Sequence, residues 1–205
     1  MRLLALSAHA DDVEIGAGGT LLRLAQSQQV EARVIVLSAD ARRAAEAQAS
    51  AGAFLAGCLV TVQTHDLPDG RFPSVWSRVK DILEDCAATW TPDVVLSPSR
   101  SDAHQDHRML AGLVPTVFRD HLVLEYEIPK WDGDLGQPSL YVPLPDVVVQ
   151  RKVDLLREHF ASQRDRDWFD AEVFRGLARL RGMECRAGYA EGFGCRKLVL
   201  SPGGG

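Results

Sequence analysis

Short apolar runs alternate along this chain with longer stretches in which apolar residues recur at helical spacing. Residues 3–8 form the first nearly unbroken run, and 34–37 and 93–96 repeat it, while 59–64 alternates apolar and polar positions. Runs of this kind read as strands. Between them, 16–28 carries Leu21, Leu22, Leu24 and Ala25 toward one side, 41–55 is alanine-rich, and 74–88 spaces Val75, Val79, Ile82 and Leu83 for a helix. Gly57 is placed to end the second helix. Residues 107–118 and 122–127 continue as helix and strand. The alternation predicts an α/β fold, a Rossmann-like, mostly parallel sheet with helices on both faces. A single domain is expected over 1–200, with 201–205 as a frayed, disordered tail.

After Pro129 the texture changes. Residues 130–145 are rich in Gly, Pro and aromatics, including Trp131 and Tyr141, and read as a long irregular loop. Such loops in compact domains are often functional. Helical spacing returns over 147–161 and 168–180, and 189–200 reads as an extended closing segment. There is no internal repeat, low-complexity tract or linker.

Composition narrows the classes of function. A length of 205 residues suits one domain with a full core. The net charge of -5 argues against a nucleic-acid partner. No apolar run reaches the length of a membrane span. Asp11 and Asp12 interrupt the apolar start too early for a signal peptide, so a cytoplasmic location is expected. Cys58, Cys86, Cys185 and Cys195 form no C-x-x-C pair and read as reduced, small hydrophobes. A homo-oligomer is compatible with these numbers.

Two clusters of polar residues follow apolar runs. His9-Ala10-Asp11-Asp12 follows the first run, and Asp102-Ala103-His104-Gln105-Asp106-His107 follows the run that ends at Leu96. Taken singly, each residue has an ordinary role: Asp11 or Asp12 as a helix N-cap, Asp106 as the cap of the next helix. Taken together they place imidazoles and carboxylates at the carboxyl ends of strands, where ligands of such sheets bind. Crowded carboxylates in such a place call for a bound cation. His9, Asp12 and one of His104 or His107 would make a three-ligand zinc site with an open position. His65, His121 and His159 lie outside the clusters and read as structural. Gly16-Ala17-Gly18-Gly19 is not a dinucleotide fingerprint, because His9 to Ile15 separate it from the strand. Its glycines are expected to let the first helix pack closely.

The segment Ala8-His9-Ala10-Asp11-Asp12-Val13-Glu14-Ile15-Gly16-Ala17-Gly18-Gly19-Thr20-Leu21 resembles the signature of the PIG-L/LmbE family of zinc-dependent N-deacetylases. His104-Gln105-Asp106-His107 resembles that family's second motif, His-x-Asp-His. Fainter echoes are Arg43 with Glu46, Leu67-Pro68-Asp69-Gly70, Ser162-Gln163 and Tyr189-Ala190-Glu191-Gly192-Phe193. The resemblance implies His9, Asp12 and His107 as ligands of zinc or another divalent cation. It implies Asp11 as general base and His104 as general acid, with Asp106 supporting the ligands. Asp102 has no firm family role and is expected to orient His104. The implied reaction removes an N-acetyl group from an N-acetylglucosamine-containing small glycoconjugate, with Arg43, Asp69 and Trp131 as sugar-binding candidates. One departure is Ala10, where the family has proline. Alanine keeps every ligand but leaves the loop freer, and metal binding is expected to survive. Two alternatives stay open: an amidase of the same fold acting on a thiol-sugar conjugate, and a non-enzymatic Rossmann-like nucleotide-binding protein. A scaffold without activity would be expected to lack a ligand, and none is missing.

Overall fold

The structure is a computed structural model that describes residues 1–199. In chain order the elements are β1 (Arg2–His9), α1 (Asp12–Ser27), β2 (Glu31–Ser38), α2 (Ala41–Phe54), β3 (Leu59–Thr64), α3 (Trp76–Thr89), β4 (Val94–Pro98), α4 (Gln105–Val117), β5 (Leu122–Tyr126), β6 (Leu140–Leu144), α5 (Asp146–His159), α6 (Ala171–Glu184) and β7 (Tyr189–Gly194). The strands form one sheet in the order β3-β2-β1-β4-β5-β7-β6. The first five pair in parallel, and β7 runs antiparallel to both of its neighbours. This is the α/β sandwich the alternation of apolar runs predicts.

Strand periodicity feeds two cores. Leu3 and Ala5 of β1 join Val34 and Val36 of β2 on the face covered by α1, α2, α5 and α6. Leu4, Leu6 and Ala8 join Ile35 and Leu37 on the face covered by α3 and α4. Because both faces are buried, the central strands read as continuous apolar runs and not as strict alternation. Among the described residues, no helix is long and apolar enough to cross a membrane.

Several elements differ from the sequence reading, among them α4, which starts at Gln105 in place of 107, and β7, which ends at Gly194 in place of 200; three departures have a clear physical reason. Helix α1 begins at Asp12 and not at residue 16. Asp12 in its first turn complements the helix dipole, while burial pushes the Glu14 carboxyl up to about 8. The glycines therefore lie inside the helix, where they permit close approach: a Cβ on Gly16 would stand 2.4 Å from Tyr126 Cδ2, and one on Gly18 2.6 Å from Phe54 Cε1. Strand β6 falls within the stretch expected to be irregular. It is an edge strand paired only to β7, which tolerates Pro143 and hides its pattern. The sixth helix starts at Ala171, where the Asp170 carboxylate accepts the Glu172 N–H at 2.7 Å. The tail expected over 201–205 lies outside the described residues.

A buried ion pair fastens α1 to the antiparallel end of the sheet. Glu191 accepts from the Gly19 N–H at 2.8 Å, the Thr20 N–H at 2.7 Å, the Thr20 hydroxyl at 2.6 Å and Lys152 Nζ at 2.7 Å. Lys152 also donates to the Ile15 carbonyl at 2.6 Å. Breaking a buried pair leaves an uncompensated charge. Lys152→Met is therefore expected to lower unfolding free energy by about 3–5 kcal/mol, measured by urea denaturation.

Candidate metal centre

The two polar clusters meet because β1 and β4 are hydrogen-bonded neighbours, with Leu3 opposite Val94 and Ala5 opposite Leu96. From β1 the chain builds β2 and β3 to one side and then returns to place β4 on the other. The loops leaving the carboxyl ends of β1 and β4 therefore diverge over a crevice, the usual ligand position in such sheets. His9 ends β1 and Asp12 opens α1; Asp106 and His107 lie in the first turn of α4.

His9 Nδ1 lies 3.0 Å from His107 Nε2. Asp12 contributes one oxygen to each side of the site. Its Oδ2 accepts the His9 N–H at 2.8 Å, which stiffens the tight turn that lacks the family proline. Its Oδ1 lies 3.4 Å from His107 Nε2. His107 is aimed by Asp102, whose Oδ2 pairs with Nδ1 at 2.8 Å. His9 Nε2 lies 3.1 Å from Asp69 Oδ1 and 3.4 Å from Asp106 Oδ2, yet is buried without a hydrogen bond of good geometry. The His104 ring stands edge-on to His9, 4.9 Å between centroids, and its Nδ1 caps α4 by accepting the Asp106 N–H at 3.3 Å. Donor sets overlap here. His9, His104 and His107 offer nitrogens within 4.8 Å of one another, and His9, Asp69, His104 and Asp106 form a second such group.

Electrostatics favour positive charge at this spot. Asp11, Asp12, Asp102 and Asp106 are all buried. Burial alone would lower the pKa of His107, but Asp12 and Asp102 outweigh it and push the ring up to about 9. His9 is likewise raised, against its burial, by Asp106, Asp12 and Asp69. Asp11 occupies the N-cap position of α1 but makes no capping bond with its side chain. Its burial, and then the charge of Asp12, raise its carboxyl to about 6. His104 is lowered by burial and by the neighbouring rings.

The sequence-predicted residues fall into three groups. His9, Asp11, Asp12, His104, Asp106 and His107 come together. Asp106 reaches further: it accepts the Gly70 N–H at 2.7 Å and the Phe72 N–H at 3.0 Å, pinning the loop that carries Asp69. That loop turns at Gly70, whose φ of +72° glycine adopts readily. Arg43 and Asp69 meet each other at 3.2 Å at the rim; His9, and after it Arg43, hold the Asp69 carboxyl below its usual range. Trp131 is 64% exposed, with its Nε1 on Asp167 and its ring against Trp168, and no contact joins it to the imidazoles. Asp102 departs from its expected role. Its side chain bonds the His107 ring and only the backbone N–H of His104, because 102 lies before the first turn of α4. Lys130, which the sequence did not single out, sits 2.9 Å from Asp102 Oδ1. Only its place in the irregular loop hinted at a function.

The family model described as PIG-L, GlcNAc-PI de-N-acetylase, matches residues 4–118. Among solved structures, the chain is similar to the conserved protein TT1542 from Thermus thermophilus, with a TM-score of 0.78, 20% identity, and 97% of this chain and 96% of that one covered. It is similar to N,N'-diacetylchitobiose deacetylase from Pyrococcus horikoshii, with a TM-score of 0.69, 21% identity, and coverage of 95% and 83%. It is also similar to GalB, the 4-carboxy-2-hydroxymuconate hydratase from Pseudomonas putida, with a TM-score of 0.74, 17% identity, and coverage of 100% and 99%. At these identities the likeness is one of fold.

Asp106→Ala removes the acceptor for two backbone donors, each worth about 1–3 kcal/mol when left unsatisfied in the interior. Hydrogen exchange at the Gly70 and Phe72 amides is expected to accelerate while the amides of β1 keep their protection.

Proposed function

The chain belongs to the PIG-L family, and we propose that it is a divalent-metal-dependent N-deacetylase acting on an N-acetylglucosamine-containing small molecule. The observation that carries this reading is the convergence of His9 Nδ1, His107 Nε2 and the Asp12 carboxylate beside the buried carboxyl of Asp11. Two imidazoles and a carboxylate are the donor chemistry of a catalytic zinc, and a pocket of buried acids that already favours positive charge fits such an ion. In this reading His9, Asp12 and His107 hold it. The ion, zinc or another divalent cation, supplies Lewis acidity toward a carbonyl and toward water.

The chain's own residues do the rest. Asp11 is buried beside the ligands without a capping bond, so its carboxylate is free to take a proton from the attacking water. The water oxygen bonds to the acetyl carbon, the C–N bond breaks, and acetate and a free amine result. With its Nδ1 engaged by the Asp106 N–H, His104 keeps Nε2 for the substrate. That nitrogen hydrogen-bonds the amide; a ring protonated on both nitrogens, its long Nδ1 contact to the Asp106 N–H given up, would pass a proton to the departing amine. Asp102 and Asp106 support the ligands from behind. Arg43 and Asp69 at the rim offer charged groups to sugar hydroxyls, and Trp131 offers an exposed aromatic face. The family description and the chitobiose deacetylase support the sugar assignment. The muconate hydratase has the same fold and favours, as a second reading, addition of water to a carboxylated substrate.

Protein purified without chelator is expected to carry stoichiometric divalent metal by elemental analysis and to release amine from N-acetylglucosamine conjugates. Asp11→Ala should keep the metal and lose roughly 10²–10⁴ in turnover. Asp12→Ala and His107→Ala should lose the metal as well. His104→Ala should keep it; loss of metal there would place His104, not Asp12, in the donor set. A protein without metal would sink the hydrolase reading and favour a nucleotide-binding Rossmann-like domain. Metal with amine release only from thiol-sugar conjugates would move the substrate. Metal with hydration of a hydroxymuconate and no amine release would replace the deacetylase.

A further inference from the structure

The irregular loop after β5 reaches the site through one cation. Lys130 lies largely buried, with its Nζ 2.9 Å from Asp102 Oδ1 and 2.7 Å from Asp134 Oδ2. The other oxygen of Asp102 holds His107 Nδ1 at 2.8 Å. Asp134 also accepts the Ala103 N–H at 2.6 Å, so the two ends of this contact grip the segment just before α4. The same loop walls a cavity of about 230 Å³ whose lining includes Asp102, Asp134, Gln137 and Ser139.

We propose that Lys130 is a positioning residue that fixes the His107 ring through Asp102 and ties the 128–139 loop to the candidate metal centre. An imidazole that ligates a metal is aimed by the partner of its other nitrogen. Asp102 is that partner, and its Oδ1 is held in turn by the His104 backbone N–H at 2.8 Å and by a lysine, at 2.9 Å, that belongs to a loop and not to the sheet. Removing the ammonium would leave the buried carboxylate of Asp102 and the partly buried one of Asp134 facing each other across the loop. The loop would shift outward, and the His107 ring would lose its fixed orientation. The loop that shapes the cavity and the ring that faces the ion would thus move together. The metal part of this inference rests on the deacetylase reading; the ordering of the ring does not.

The test compares the unmodified protein with Lys130→Met, Lys130→Arg and the double variant Lys130→Met/Asp134→Asn. Two readouts are needed: zinc affinity by competition with a chromogenic chelator, and the downfield His107 Nδ1–H signal in protein with labelled histidine, recorded with zinc and after stripping. Lys130→Met is expected to weaken zinc binding roughly 10- to 100-fold and to lose the His107 signal in both states. Lys130→Arg should restore most of both, because it keeps a donor for Asp102. The double variant relieves the unpaired charge of Asp134. It should regain melting temperature without regaining zinc affinity or the signal, which separates positioning from mere charge compensation. Unchanged affinity and an unchanged signal in a folded Lys130→Met protein would overturn the proposal, as would full recovery in the double variant. Absence of zinc binding by the unmodified protein would sink the deacetylase reading instead, and the His107 signal alone would then decide the role of Lys130.

Discussion

Two histidines that are 98 positions apart along the chain come within 3.0 Å because β1 and β4 are hydrogen-bonded to each other in parallel. That pairing sets the distance between the loops that leave the two strands, and every contact of the site follows from it. It also creates the switch point of the sheet, since β2 and β3 lie on one side of β1 and β4 and β5 on the other. The apolar faces of β1 secure the arrangement. Leu3 and Ala5 are buried under α1 and its neighbours, while Leu4, Leu6 and Ala8 are buried under α3 and α4. A slip of one residue would exchange those sets and move His9 away from His107.

Around that junction the protein has buried more acid than base. Each imidazole that faces the centre has a carboxylate behind or beside its other nitrogen: Asp102 for His107, and Asp69 with Asp106 for His9. Of the acids here, Asp12, Asp102 and Asp106 are buried and would be costly in a dry interior unless positive charge or backbone donors answered them, while Asp69 lies exposed at the rim. Lys130 answers Asp102 and Asp134, Arg43 answers Asp69, and the imidazoles, or a cation between them, answer Asp12. The result is a rigid set of donors held from outside by loops that come from three parts of the chain.

The family echoes acquire physical content in the same way. Glu191 is the acceptor that ties α1 to β7 and Lys152. Glu46 receives the backbone N–H and hydroxyl of Ser162, so two of the faint echoes are a single contact. The Asp69 turn is held by Asp106. These residues maintain the frame around the centre. A hydratase and a deacetylase are both similar to this chain in fold, and a fold does not by itself fix a reaction.

Much of this was legible along the chain because it is local. Buried parallel strands leave unbroken apolar runs, helices leave their own spacing, and a His/Asp cluster directly after such a run needs no partner to be noticed. The elements whose pattern failed were those with weak local signals: β6, an edge strand interrupted by Pro143, and the start of α1, where glycines mimic a turn but serve close packing against Tyr126 and Phe54. The partner of Asp102 was out of reach for a different reason. Whether it meets His104 or His107 depends on α4 starting at Gln105, which turns the His107 ring back toward 102. Lys130 lay further still from any local rule, since a lysine in an irregular loop has no period. Chain order carried the elements and the two clusters, because both are written in neighbouring residues. The adjacency of β1 and β4, the carboxylate behind each imidazole and the reach of Lys130 into the site came from folding, because contacts between distant segments are chosen by packing and charge balance in three dimensions.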